Sequence, residues 1–213
     1  MKITAIVPVY NEERTIKTLV EKVQRVNLGK VKKEIIIVND ASHDNSLKII
    51  RLLVKRYKNI KYYNHSKNKG KGAAIITALS YITGDFLIVQ DGDLEYNPED
   101  YKKLIQPLLE DKADIVCGSR VRGSITGFQI PLHYYGYLFL TWVTRLLYHQ
   151  RITDMETGYK MMKAETMKSL HLRSSGFEID PEYLSKILKR GHRLVEVPIS
   201  YNARSFEEGK KIT

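Results

Sequence analysis

The chain has 213 residues, 43% of them hydrophobic and 28% charged, which supplies material for one sizeable core and carries no signature of disorder or fibrous repetition. Its 35 Lys and Arg against 24 Asp and Glu leave a net charge of +11, so an anionic partner is expected: nucleic acid, nucleotide or phospholipid. The single Cys117 excludes an internal disulfide framework and cysteine-rich zinc clusters, and suits a reducing compartment such as the cytosol.

Lys2 to Tyr10 is rich in β-branched residues and runs into the polar Asn11-Glu12-Glu13 without a small-residue cleavage region, so it reads as a strand and not a signal peptide. Ile16, Leu19, Val20, Val23 and Val26 then share one helical stripe. Lys33 to Asn39 reads as a buried strand, and Leu47, Ile50, Leu53, Val54 and Tyr57 form a second helical stripe. Ile60 to Asn64, Lys71 to Ile82, Asp85 to Gln90 and Pro98 to Glu110 continue the alternation, with Pro98 well placed at a helix start, and Asp114 to Cys117 adds a strand. This alternation predicts an α/β fold, a Rossmann-like, mostly parallel sheet flanked by helices, with ligands at the carboxyl ends of its strands.

The second half is less regular. A glycine-containing loop and an aromatic stretch fill Val121 to Thr153, followed by a strand at Tyr159 to Met162, a helix at Asp180 to Arg190 and a strand at Leu194 to Ile199. With no linker or repeat in sight, the whole chain, 1–213, is expected to form a single domain. Tyr134 to Tyr148 is the most apolar later stretch, but it carries Arg145 and falls short of the roughly 20 residues of a spanning helix. With His133 before it and Arg145 and Arg151 at its end, its aromatics suit a helix lying in a membrane interface; a core helix is the alternative.

Carboxylates sit where the ligand is expected. The first strand ends in Pro8-Val9-Tyr10-Asn11-Glu12, the second in Asn39-Asp40 and the fourth in Asp91-Gly92-Asp93. Singly these have local readings: Asn11 and Asp44 as helix caps, Asp40 in an Asx-turn, Asp-Gly as a turn pair. Jointly the topology places them at one rim. Asp91 and Asp93, separated by one small residue, can both reach a hard cation such as Mg²⁺ or Mn²⁺, and Glu95 is a further candidate ligand.

Ile6-Val7-Pro8-Val9-Tyr10-Asn11-Glu12, Ile36-Ile37-Val38-Asn39-Asp40-Ala41-Ser42-His43-Asp44, Asn68-Lys69-Gly70-Lys71-Gly72 and Asp91-Gly92-Asp93, in this order and spacing, resemble glycosyltransferase family 2. Gly118-Ser119-Arg120, Asp154-Met155-Glu156-Thr157-Gly158-Tyr159-Lys160 and Tyr201-Asn202-Ala203-Arg204 through Gly209-Lys210-Lys211-Ile212 are similar to the polyprenyl-phosphate branch of that family. The resemblance implies the glycosyltransferase A-type nucleotide-sugar fold, with residues 1–120 as the nucleotide-sugar half and 121–213 as the acceptor half. It implies that Pro8, Tyr10, Glu12, Asp40, Lys71, Asp91 and Gly92 hold the nucleotide, and that Asp91, Asp93 and Glu95 hold Mg²⁺ or Mn²⁺. Arg120, Arg122, Arg204, Lys210 and Lys211 match basic positions that gather phosphates. Catalytic domains of the family are often followed by membrane helices. Ending at Thr213, the chain implies either a missing membrane segment or a peripheral subtype.

The expected reaction is in-line displacement at the anomeric carbon of a GDP- or UDP-linked hexose, which inverts that centre, with Asp93, Arg120 and Asp154 as the catalytic set. For a saccharide hydroxyl acceptor a base is required, and Asp154 is the candidate. A dolichyl or undecaprenyl phosphate has a second pKa near about 6 and arrives ionised, so arginines would bring the two anions together instead. The location implied is the cytoplasmic face of the membrane. Two rivals compete: a nucleotidyltransferase, which would need a glycine-rich phosphate loop after the first strand, and a non-catalytic basic module binding RNA or a membrane. No nucleic-acid motif is visible, and such a module has no use for Asp91-Gly92-Asp93.

Overall fold

The computed structural model describes residues 1–127 and 131–204, the side chains of 131–135 and 137 excepted. The β-branched run at the N-terminus forms β1 (Lys2–Val9), and the stripe after it forms α1 (Ile16–Arg25) with Ile16, Leu19, Val20 and Val23 buried. The alternation continues through β2 (Lys32–Asn39), α2 (Ser46–Arg56), β3 (Ile60–Asn64), α3 (Lys71–Leu79) and β4 (Phe86–Val89). A 3-10 turn at Pro98–Asp100 leads into α4 (Tyr101–Leu109). Then come β5 (Ile115–Gly127), α5 (Pro131–Tyr148), β6 (Lys160–Lys163), α6 (Ala164–Lys168), α7 (Ile179–Lys189) and β7 (Leu194–Ala203).

Among the described residues one sheet of seven strands runs in the order β3-β2-β1-β4-β6-β5-β7. Pairings of β1 with β2 and β4, of β2 with β3 and of β5 with β7 are parallel; only β6, between β4 and β5, runs antiparallel. The expected mostly parallel sheet is therefore present. Alternate residues of β1 feed two cores: Ile3, Ala5, Val7 and Val9 pack with α1 and α4, and Ile6 packs with α3 and α7. Cys117 lies in the second core as a buried small hydrophobe, its thiol pushed up to about 12 by desolvation.

One difference from the sequence reading matters for the site. β5 does not stop at Cys117. It continues past an irregularity between Ser119 and Ser124 and pairs Ser124 to Gly127 with Ser200 to Ala203 of β7, so the expected loop at Val121 is partly strand. On α5 the inward positions Thr141 and Thr144 are buried while Leu138, Phe139, Leu140, Trp142, Leu146 and Leu147 are exposed, which speaks against the core-helix alternative for this stretch. Among the described residues no helix is long and apolar enough to cross a membrane.

Candidate active site

Strand order reverses between β1 and β4, and at such a switch point the loops beyond the carboxyl ends diverge and leave a crevice. Asn11, Ala41 and Leu94, in the loops after β1, β2 and β4, all take positive φ angles, of 53°, 56° and 66°. Non-glycine residues are rarely held there, and such backbone clusters at working sites. Asn11 secures the rim: its Oδ1 accepts the His43 N–H at 2.8 Å, and its own N–H donates to Ser42. The Asp44 carboxylate accepts the N–H groups of Glu13 and Ser46. Neither residue is the helix cap expected, since α1 and α2 start from Thr15 and Asn45 with no side-chain cap bond, and both instead tie the loops after β1 and β2 together.

Asp91-Gly92-Asp93 follows β4 and rests on Gln90, whose Nε2 donates to the Asp91 carbonyl while its Oε1 accepts the hydroxyls of Tyr101 and Tyr159. The Glu12 side chain packs against Gly92, where a methyl group would lie 3.1 Å from Glu12 Cγ. This brings a fourth carboxylate to Asp91, Asp93 and Glu95. Cations from distant parts of the chain compensate. Lys71 Nζ lies 2.8 Å from Asp91 Oδ1 and 2.9 Å from Asp180 Oδ2. Burial alone would lower the Lys71 pKa, but Asp180 and Asp91 outweigh it and hold the ammonium above its usual value. Arg204 reaches Asp93 at 3.3 Å, Glu12 at 3.8 Å and Glu95 at 3.9 Å.

The compensation is incomplete at Asp93. Burial, then the charges of Asp91 and Glu95, push its carboxyl up to about 7 against the opposing pull of Arg204. Among the described residues no group of three or more His, Cys, Asp or Glu forms a ready metal cage. Two hard carboxylates with excess negative charge nevertheless fit Mg²⁺ or Mn²⁺, which take only one or two protein carboxylates when a substrate diphosphate supplies further oxygens. Glu95 is committed elsewhere, accepting the Arg204 N–H and the Tyr201 hydroxyl.

A second charged centre adjoins the first. Arg120 donates from Nε and Nη2 to the two oxygens of Asp154 at 2.7 and 2.8 Å, and its backbone N–H donates to the same carboxylate. Asp154 is fully buried. The Arg120 guanidinium also lies over the Tyr201 ring at 5.1 Å, and Tyr201 in turn holds Glu95, so one aromatic ring joins the two centres. Glu196 orders the far side by accepting from the backbone of Thr153 and Asp154 and from the Thr153 hydroxyl. Arg122 is exposed, its guanidinium donating to the Glu196 carbonyl and its backbone N–H to the Ser119 hydroxyl.

The remaining expected residues fall as follows. Pro8 pairs with Val38 at the end of β1, and Tyr10 stands edge-on to His43 with ring centroids 6.3 Å apart, beside the same crevice. Asp40 is turned inward: its carboxylate accepts the N–H groups of Lys69 and Gly70 and pairs with His65 at 2.6 Å, so it shapes the loop that carries Lys71. Lys210 and Lys211 lie outside the described residues, as do the side chains of His133, Tyr134, Tyr135 and Tyr137. Asp180, Gln90 and Glu196 were not anticipated. Asp180 stands in the first turn of a helix, where an acid is unremarkable, and its partner Lys71 is 109 residues away.

This arrangement, a mostly parallel sheet with a carboxylate-rich crevice at its switch point and Lys71 and Arg204 paired to those carboxylates, belongs to the A-type glycosyltransferases. Residues 4–174 match the model of the family described as Glycosyl transferase family 2, and the chain belongs to that family. It is 33% identical over 227 residues to a UDP-N-acetylglucosamine–dolichyl-phosphate N-acetylglucosaminyltransferase of Methanococcus voltae, covering 97% of this chain and 89% of that protein. It is 30% identical to a dolichol-phosphate mannosyltransferase of Pyrococcus furiosus over 99% of this chain, which spans 59% of that longer protein. Glucosyl-3-phosphoglycerate synthase of Mycobacterium tuberculosis, crystallised with Mn²⁺, UDP and product, shares the fold with a TM-score of 0.72 at 18% identity, over 97% of this chain and 74% of that one. The chain is thus a glycosyltransferase of family 2, similar to relatives named for transfer to dolichyl phosphate.

Proposed function

We propose that the enzyme transfers a hexosyl group from a UDP- or GDP-linked sugar to a polyprenyl phosphate, with inversion, at the cytoplasmic face of a membrane, using Mg²⁺ or Mn²⁺. The observation that carries the acceptor is the state of Asp154. Both its oxygens are taken by Arg120 and no part of it meets solvent, so it is poorly placed to remove a proton from a sugar hydroxyl. A phosphate monoester brings its own charge, with a second pKa of about 6. It needs a fixed cation, which Arg120 is. The names of the two archaeal relatives agree with a dolichyl phosphate acceptor, and one of them names a UDP-linked donor.

Asp91 and Asp93 would hold the divalent cation against the donor diphosphate; when bound, it neutralises the charge that develops on the leaving nucleoside diphosphate. Pro8, Tyr10 and Glu12 line the nucleotide side, and Lys71 orients Asp91. Arg204 is the cation of the set with contacts left to make: its contacts to three carboxylates are long and its buried Nε has no hydrogen-bond partner among the described residues, so it can exchange them for bidentate contacts to phosphate. Lys210 and Lys211 join it in this proposal on the family resemblance alone. The exposed apolar face of α5, with exposed Arg145 and Arg151, suits the interface at which a polyprenyl chain resides.

The test offers UDP-glucose, UDP-N-acetylglucosamine and GDP-mannose, with Mg²⁺ or Mn²⁺, to the protein with and without polyprenyl phosphate in detergent. The expected product is a lipid-linked sugar of inverted anomeric configuration. Transfer to a saccharide hydroxyl alone would overturn the acceptor.

A further inference from the structure

Asp180 is half-buried, charged and 89 residues beyond Asp91 in the chain, yet the two share one ammonium. Lys71 Nζ is held at 2.8 Å by Asp91 and at 2.9 Å by Asp180, with Lys71 and Asp180 side chains 12% and 14% exposed. The other Asp180 oxygen accepts the hydroxyl of the fully buried Tyr183 at 2.7 Å, and the Tyr183 ring lies 5.5 Å from the Lys160 ammonium. Burial would raise the Asp180 pKa, but Lys71 and Lys160 lower it, so the group is an anion.

The backbone fixes the distance these side chains span. Gly72 N–H donates to the Gly176 carbonyl and Ala73 N–H to the Ser175 carbonyl, which straps the first turn of α3 to the segment that enters α7. The approach is so close that a methyl group on Gly70 would collide with the Ser175 carbonyl oxygen, and one on Gly72 with that of Ser174. Lys71 lies between those two glycines. Its ammonium has three N–H donors, and with Asp180 removed they would all be free to collapse onto Asp91 or follow the donor diphosphate.

We infer that Asp180 is a positioning residue for donor binding: by anchoring Lys71 from the far side it fixes the orientation in which Asp91 meets the nucleotide sugar. This rests on the reading of Asp91 as a donor-site residue.

The test is calorimetric titration of the full chain with UDP or GDP in the presence of Mn²⁺, with thermal unfolding run on each variant. Asp180→Asn is expected to weaken nucleotide binding about 10- to 100-fold, the range for groups that orient a metal site's ligands, and Asp180→Glu to recover part of it. In an Asp91→Asn background the same Asp180→Asn change should cost less than about threefold, because the route through Asp91 is already cut. Full additivity of the two changes overturns the inference, as does unaltered binding in a folded Asp180→Asn. If that variant does not fold, Tyr183→Phe, which removes the hydroxyl holding Asp180, should weaken binding by a smaller factor; unaltered binding there overturns the inference equally. A wild-type chain that binds neither nucleotide overturns the donor-site reading and this inference with it.

Discussion

Asp93 couples the chemistry of the crevice to pH. Its carboxyl is pushed up to about 7 by burial and by Asp91 and Glu95, so between the ordinary carboxylate range and about 7 the folded protein binds more protons than the unfolded chain. Stability therefore falls as pH rises through that window and levels off above it. The melting temperature of the metal-free protein is expected to drop between about pH 5 and about pH 7.5, Asp93→Asn to flatten that drop, and Mn²⁺ to restore stability most at the upper end. An identical pH dependence in wild type and Asp93→Asn would refute the assignment. Asp154→Asn is expected to cost about 3 kcal/mol in chemical denaturation, because it strands the Arg120 guanidinium beside a neutral amide. If Asp154 were instead only a catalytic base, stability would be unchanged. Asp91, Asp93, Arg120 and Asp154 were legible in the sequence because each follows or lies within a recognisable motif. Their pairing was not: nothing local says that Arg120 and Asp154 neutralise each other across 34 residues, or that Asp40 spends its oxygens on the backbone of the next loop.

At the scale of elements, legibility follows periodicity. β1 to α4 were readable because each strand and helix carries its own apolar pattern, and the boundaries agree to within a few residues. β5 was cut short because Gly118 and Gly123 interrupt the pattern, and only pairing with β7 carries the strand on to Gly127. α6, five residues long, has too few turns to show a period. The composition of α5 was readable but not its orientation, which depends on the buried Thr141 hydroxyl accepting the Met155 N–H. The joint between α3 and the segment before α7 can be probed directly. Gly72→Ala sets a methyl group against the Ser174 carbonyl, and since both partners are backbone, neither yields cheaply. It is expected to cost about 2 kcal/mol or more and to weaken Mn²⁺-nucleotide binding through Lys71, whereas Gly136→Ala, which meets nothing within 4 Å, should leave both unchanged.

For the whole molecule the question is where the net charge of +11 acts. The crevice itself gathers carboxylates, so the excess of cations lies elsewhere, and among the described residues six of the exposed large hydrophobics cluster on α5. Phe139, Trp142 and Leu146 are 61%, 58% and 58% exposed; side chains of this size each gain up to about 1.5–3 kcal/mol on full transfer out of water. Basic residues near an anionic bilayer add about 1 kcal/mol each and lose it within a Debye length, which is about 3 Å at about 1 M salt. The two contributions therefore separate by ionic strength. Wild-type protein should sediment with vesicles containing anionic lipid at low salt and retain a fraction of that binding at about 1 M salt. Phe139, Trp142 and Leu146 all changed to Ser should leave the melting temperature unchanged, reduce binding at low salt and abolish the salt-resistant fraction. A triple variant that keeps this fraction would place the membrane contact on another face, and the acceptor phosphate would then have to approach Arg120 from there.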